Sequence, residues 1–348
     1  MQELLGRLGA LDPEASQGLR VIACFDELMS GGVALRGLLS AAAALAGVPV
    51  GFARKNQVLR ITSRGEELPG EPPAARIEAT IRGEATVWIE RHPEQALAND
   101  AIILERLALA ARLRIDPASR TTGLDAVKRD LATLLDRSSK RQDLITAAAR
   151  LHLTAGAKYR ALAAPLFASW KLRPHGPEDV IWTASGPVHV VVVRDGSAAS
   201  GAPLGLGIAA TTEELALSFR TALIALKLHD GLSTDPVHAD DFGGLAELLA
   251  DLPEDDRPDR DAAAIDDLMR HPWGEMTVAS LVATSSIREA AREAGVHHST
   301  MTTRVDALIA GLGFDPLTGL GRTRLGIAYL RWRLRHSRVF ELPQPAGT

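Results

Sequence analysis

Leu19–Met29 and Val33–Ala46 read as two helices split by the breaker Gly31-Gly32. Val50–Ala53 and Val58–Thr62 follow as short strands. Ala75–Arg82 and Ala85–Glu90 alternate apolar and polar residues around Gly83, which predicts a hairpin, and Leu97–Arg114 predicts a closing helix. Over 122–150 the period changes: Leu124, Val127, Leu131, Leu134 and Leu135 recur at helical spacing. Asp125, Lys128, Arg129, Asp130, Asp136 and Arg137 fill the other side. An interdomain helix that pairs with its own copy and a helix packed on its own domain both fit this stripe. Tyr159–Leu166 and Val180–Thr183 read as strands. Val188–Val193 is a near-continuous apolar run, the pattern of a central strand covered on both faces. Glu213–His229 predicts a helix with Thr211 and Thr212 as capping candidates.

The chain has 348 residues, enough for two or three domains with cores of their own. Its net charge of -4 does not mark a nucleic-acid binder, but the average conceals a split. Residues 235–270 carry twelve acids and three arginines, and residues 281–348 carry nine arginines and five acids. Pro253, Pro258 and the acids 254–256 mark 251–270 as an acidic hinge. The single cysteine, Cys24, suits a reducing compartment and excludes a Cys-built zinc site; inside the apolar stretch VIACFDEL it reads as a buried, inert thiol. The opening MQELLGRLGALDPEAS lacks the basic-then-apolar order of a signal peptide. The uncharged runs Gly37–Ala53 and Gly196–Thr212 are short for a membrane span and broken by glycine and proline. A cytoplasmic protein without membrane contact is expected.

The most specific segment is SSIREAAREAGVHHSTMTTRVDALI, residues 285–309. Ser286–Glu293 predicts a helix whose Ala290, Ala291 and Ala294 let a second helix cross closely. Gly295 stands where that helix must stop, and Val296 fills the gap between the two. The second helix runs from His298 to about Ile309, with Met301, Val305, Leu308 and Ile309 inward. This is the pattern of a helix-turn-helix, whose second helix enters the major groove by its N-terminal part. The candidate DNA-contacting residues are His297, His298, Ser299, Thr300, Thr302, Thr303 and Arg304, with Arg304 the main cation. Arg322–Arg338 predicts a basic amphipathic helix with Leu325, Ile327, Ala328, Leu330 and Leu334 on its apolar face.

The stretch AAREAGVHHSTMTTRVDALIAGLGFDPLTGLGRTRLGIAYL resembles the C-terminal helix-turn-helix of PucR-type (CdaR-like) bacterial transcription regulators. The matching positions are Ala291, Val296, His297, Ser299-Thr300, Arg304, Leu308, Leu312-Gly313 and Leu325–Leu330. Ser299 replaces the family's usual Asn, and Thr303 its usual aromatic residue. Upstream, Ala147–Ala250 resembles the degenerate GGDEF-like domain of such regulators, through AARLHLTAGAKYRALAAPL, VHVVVV and DDFGGLAELL. The element order of residues 16–115 is similar to that of a GAF or PAS sensor domain.

These readings give a multidomain α+β chain. Its expected parts are a GAF-like sensor domain (16–115), a helical linker and possible dimerisation helix (116–150), a non-catalytic GGDEF-like domain (151–250), the acidic hinge (251–270) and an all-α helix-turn-helix domain (271–340). The resemblance implies a DNA-binding regulator that acts as a homodimer on an operator and responds to a small molecule or partner. The alternative is a scaffold protein that docks a partner with its C-terminal helices. The Thr183–Pro187 hairpin has neither the metal-holding carboxylates nor the Gly-Gly-acid-acid-Phe turn of a diguanylate cyclase. Gly205-x-Gly207-x-x-Ala210 lacks the preceding strand and following acid of a dinucleotide site. No HExxH, Walker or Gly-x-Ser-x-Gly sequence occurs, so neither an enzyme nor a cofactor or metal is expected.

Overall fold

Alternation around Gly83 closes as a hairpin. Arg82 (φ 47°) and Gly83 (φ 72°) both take left-handed backbone, and Glu84 N donates to Ile81 O at 3.0 Å. Two positive φ values give the turn the twist of the strands it joins. The computed structural model describes residues 13–55, 57–115, 124–230, 233–252 and 260–341. Residues 1–12, the side chains of Leu124, Asp125, Val127 and Lys128, and the run 253–259 with its prolines and acids lie outside the described residues. The chain is mixed α and β and divides into two compact units, residues 1–250 with 339–348, and residues 251–338.

The first unit opens with α1 (Pro13–Ser30) and α2 (Leu35–Ala46), separated at the two glycines. Arg114 holds their junction by donating to the carbonyls of Met29, Gly31 and Val33, which meets the orphan acceptors of a helix end. A four-stranded antiparallel sheet follows, in the order β2-β1-β4-β3: β1 Val50–Arg54, β2 Gln57–Ile61, β3 Ile77–Ile81 and β4 Ala85–Ile89. Helix α3 (Asp100–Ile115) and α2 pack on it, and Phe25, Leu39, Ile61, Val87 and Leu107 are fully buried between them. That core also contains Leu166 and Val180 from further along the chain, so residues 16–115 do not close a core alone.

The stripe over 122–150 folds as two helices, α4 (Leu124–Leu135) and α5 (Arg141–Arg150), rather than one. The Asp136 carboxylate accepts from Ser138 N at 2.8 Å and turns the chain between them. Leu131 and Leu134 are fully buried on the second sheet. Of the stripe, Leu131, Leu134 and Leu135 are packed within the chain.

The second sheet has the order β11-β10-β5-β8-β7: β5 Tyr159–Pro165, β7 Glu178–Thr183, β8 Gly186–Arg194, β10 Gly205–Leu206 and β11 Val237–His238. Strand β8 is central, as its apolar run predicts. Val188, Val190 and Val192 face α4–α6, where α6 is Leu215–Lys227, while Val191 and Val193 pack with Leu162 and Leu204 on the other side. A two-stranded pair, β6 (Ser169–Leu172) with β9 (Ser200–Ala202), and α7 (Gly244–Ala250) complete the unit.

Gly205 and Gly207 have a packing role here. A Cβ at Gly207 would lie 1.9 Å from Ser218 O, and one at Gly205 would lie 2.3 Å from Ala222 O, so only glycine lets this strand press onto α6. Thr211 makes no capping bond to the backbone; its hydroxyl lies 3.0 Å from Glu214 Oε2, and a short 3₁₀ turn at Thr212–Glu214 leads into α6.

The second unit is all helical: α8 Arg260–Met269, α9 Gly274–Ala283, α10 Ile287–Glu293, α11 His298–Leu312 and α12 Gly319–Arg335. Residues 260–269, expected as part of the acidic hinge, are helix α8. Ala262, Ile265 and Leu268 point into the core, and Asp261 and Asp266 pair with Arg324 (2.7 Å) and Arg335 (3.0 Å) of α12. On α12 the inward residues include Leu325, Ala328 and Tyr329, while Ile327, expected inward, is 40% exposed.

Candidate nucleic-acid interface

Helix α10 begins at Ser286, whose hydroxyl accepts from Glu289 N at 3.2 Å. Glu289 reaches back to Ser285, accepting from its amide at 3.1 Å and its hydroxyl at 2.6 Å. This reciprocal cap satisfies orphan amides of the first turn. Those bonds from Ser285 hold the Glu289 carboxyl below its ordinary pKa. The helix ends as the sequence predicts. Gly295 takes φ 63°, its amide donates to Arg292 O, and Val296 N donates to Ala291 O at 2.9 Å. Ala290 and Ala291 are buried beneath α11, together with Met301, Val305, Leu308 and Leu312. Ile309, expected inward, is half-buried.

The seven candidate residues divide by what each side chain already does. His297 is the N-cap of α11: its Nδ1 accepts from Ser299 N at 3.3 Å and lies 2.8 Å from Ser299 Oγ. Only Nε2 of that ring is left outside the cap. Thr302 and Thr303 hydroxyls donate to His298 O (3.0 Å) and Ser299 O (3.1 Å), so both face outward as acceptors. His298, Ser299, Thr300 and Thr303 are exposed, and Thr302 is half-buried. Together they form a short polar surface on the first two turns of α11.

Arg304 is engaged elsewhere. Its Nη1 donates to the buried Thr277 hydroxyl at 3.3 Å, and its guanidinium lies 5.9 Å from the centre of the Trp273 ring. Trp273 is in turn stacked on His271. The main cation of the motif is half-buried and ties α11 to α9. Arg288 and Arg292 on α10 were not singled out from sequence, yet both are exposed and neither forms an ion pair with a described residue. Their four-residue spacing on one short helix was the available signal.

The described residues contain no group of three His, Cys, Asp or Glu at metal-binding spacing and no helix long and apolar enough to cross a membrane. No family model matches the chain, and no curated protein matches it. Among solved structures it is similar to a regulator of polyketide synthase expression from Bifidobacterium adolescentis, at 14% identity and a TM-score of 0.29. That similarity covers 65% of this chain and 98% of the other. A likeness at this level carries no argument about function.

Proposed function

We propose that this protein is a DNA-binding transcription regulator of the PucR type that its C-terminal sequence resembles. The observation that carries the reading is the α10–α11 pair. A glycine turn at Gly295 sets two helices against each other, and the second presents His298, Ser299, Thr300 and Thr303 to solvent on its first turns. Side chains at that end of a second helix meet base edges in the major groove. The back-bonded Thr303 hydroxyl offers an acceptor, which fits the amino group of adenine or cytosine. Arg288 and Arg292 then supply phosphate contacts from α10. In this reading residues 16–115 are a GAF-like sensor, residues 151–250 a non-catalytic GGDEF-like scaffold, and α10–α11 a helix-turn-helix. The protein acts without catalysis, in the cytoplasm, as a homodimer. Two copies would place their α11 helices about 34 Å apart on an operator.

Selection of the full chain on random duplexes, followed by titration at two salt concentrations, tests this. One sequence should be enriched. Thr303→Ala should change the base preference, while Arg288→Ala and Arg292→Ala should weaken binding to all sequences and each lower the salt slope by about one. Absence of any salt-dependent affinity overturns the reading. Met276 (56% exposed) and Leu320 (76% exposed) on the same unit favour the second reading, a scaffold that docks a partner protein through its C-terminal helices.

A further inference from the structure

Within the first unit, a cleft of about 520 Å³ opens between α2, the end of β2 with the turn beyond it, α4 and β7. That size suits a small organic ligand. Leu59 and Ile181 give it apolar walls, and two arginines, Arg36 and Arg129, stand on its lining. Arg36 is paired with Glu67 at 2.8 Å, whereas Arg129 is exposed and forms no ion pair with a described residue. Among the described residues, the cleft lining therefore offers one positive charge without an ion-pair partner.

A second observation concerns the indole that walls the cleft. Trp182 lines the cleft, and its indole Nε1 is buried without a hydrogen-bond partner among the described residues. Buried indole donors ordinarily have one. The indole edge lies against Gly65, where a Cβ would stand 1.8 Å from Trp182 Cδ1 and 2.0 Å from Nε1. Only glycine fits at residue 65 against that edge, and Gly65 itself lines the cleft.

We propose that this cleft binds a small monocarboxylate with an apolar body. The body lies against Leu59, Ile181 and the Trp182 ring, and Arg129 pairs with the carboxylate. One net charge on the lining matches a monoanion better than a phosphate dianion. Binding stands on the cleft alone; only its part as an effector rests on the regulator reading.

Calorimetric titration of the full chain with 2-naphthoate tests it, with 2-naphthamide and inorganic phosphate as comparisons. One saturable site per chain is expected, with the amide and phosphate at least about tenfold weaker. Arg129→Ala should weaken naphthoate about tenfold, and so should Ala132→Glu, which adds a repelling charge to the exposed surface of α4. Arg141→Ala, which removes an exposed arginine outside the cleft lining, should leave binding unchanged. Equal binding of the amide, tighter binding of phosphate, or unaltered affinity in both Arg129→Ala and Ala132→Glu overturns the proposal. So does the absence of saturable binding by naphthoate, benzoate and octanoate alike. Duplex affinity measured on the same preparation separates the two claims. Lost DNA binding with an intact titration removes the regulator reading only, and a failed titration with intact DNA binding removes the cleft only.

Discussion

Glu178 reaches from β7 to the α1–α2 junction, where it accepts from Gly32 N at 2.7 Å and pairs with His189 Nε2 (2.8 Å) and Arg173. Burial alone would raise its pKa. The hydrogen bond and charge of His189, the Arg173 charge and the Gly32 amide outweigh that and hold it at about 2, against an ordinary 4.5. A depressed carboxyl contributes stability above its unfolded pKa and loses it as pH falls toward the folded value. Stability should therefore fall between about pH 5 and pH 2, by on the order of 2–3 kcal/mol from this group. Glu27 nearby is shifted upward by burial and offsets part of the fall. Denaturant unfolding across that range should show a shallower dependence in Glu178→Gln, with the variant weaker than the parent at pH 7 and level with it near pH 2. Arg304 is the residue whose role the sequence placed differently. Its partners Thr277 and Trp273 lie 27 and 31 positions upstream, out of reach of any local pattern. Arg304→Ala should lower the stability of the C-terminal unit by about 1 kcal/mol and leave the salt slope of duplex binding as it is. Cys24, by contrast, was legible from its neighbours. It is 1% exposed, and burial, with Glu27 beside it, pushes its thiol up to about 12. A thiol reagent should label it only in denaturant.

Elements whose signal is local were read correctly. The hairpin at Gly83 and the α10 stop at Gly295 depend on a few neighbouring residues, and the Val188–Val193 run declares burial on both faces by itself. The errors arose where composition outweighed period. Acids at 261, 266 and 267 made residues 260–269 look like a solvated hinge, yet Ala262, Ile265 and Leu268 are spaced three apart on one face. The partners of Asp261 and Asp266, Arg324 and Arg335, come from more than sixty residues away. Truncating the fully buried Ile265 to Ala should destabilise the C-terminal unit by about 2–4 kcal/mol, because α8 is part of its core. A hinge residue would tolerate that change, so circular-dichroism unfolding decides between the two descriptions. The glycines at 205 and 207 teach the converse. Their spacing resembles a nucleotide fingerprint, but the backbone contact of the strand with α6 accounts for both. Gly207→Ala should reduce stability severely even with no nucleotide present.

At the scale of the whole molecule, the sequence divides the chain by composition and the structure divides it by shared cores. Residues 16–115 have the element order of a self-contained sensor, yet their core takes in Leu166 and Val180. Two hydrogen bonds from charged side chains to backbone join the same layers, as Arg173 donates to Glu27 O and Glu178 accepts from Gly32 N. A fragment ending at residue 115 would expose the apolar surface that Leu166 and Val180 cover and leave the α1–α2 junction without Arg173 and Glu178. The helical unit has no such debt. Among the described residues, every buried member of its core lies between Ala262 and Tyr329, and its two α8–α12 ion pairs are internal. The prediction is a contrast between two fragments. Residues 260–338 alone should unfold cooperatively and bind duplex DNA with the salt slope of one copy. Residues 13–115 alone should show no cooperative transition, and extending them to residue 250 should restore it. Circular dichroism with denaturant reads both fragments. A cooperative transition in 13–115 would show that its shared contacts are peripheral and that this segment is an independent domain after all. Failure of 260–338 to fold would show that the helical unit depends on the rest of the chain for its stability.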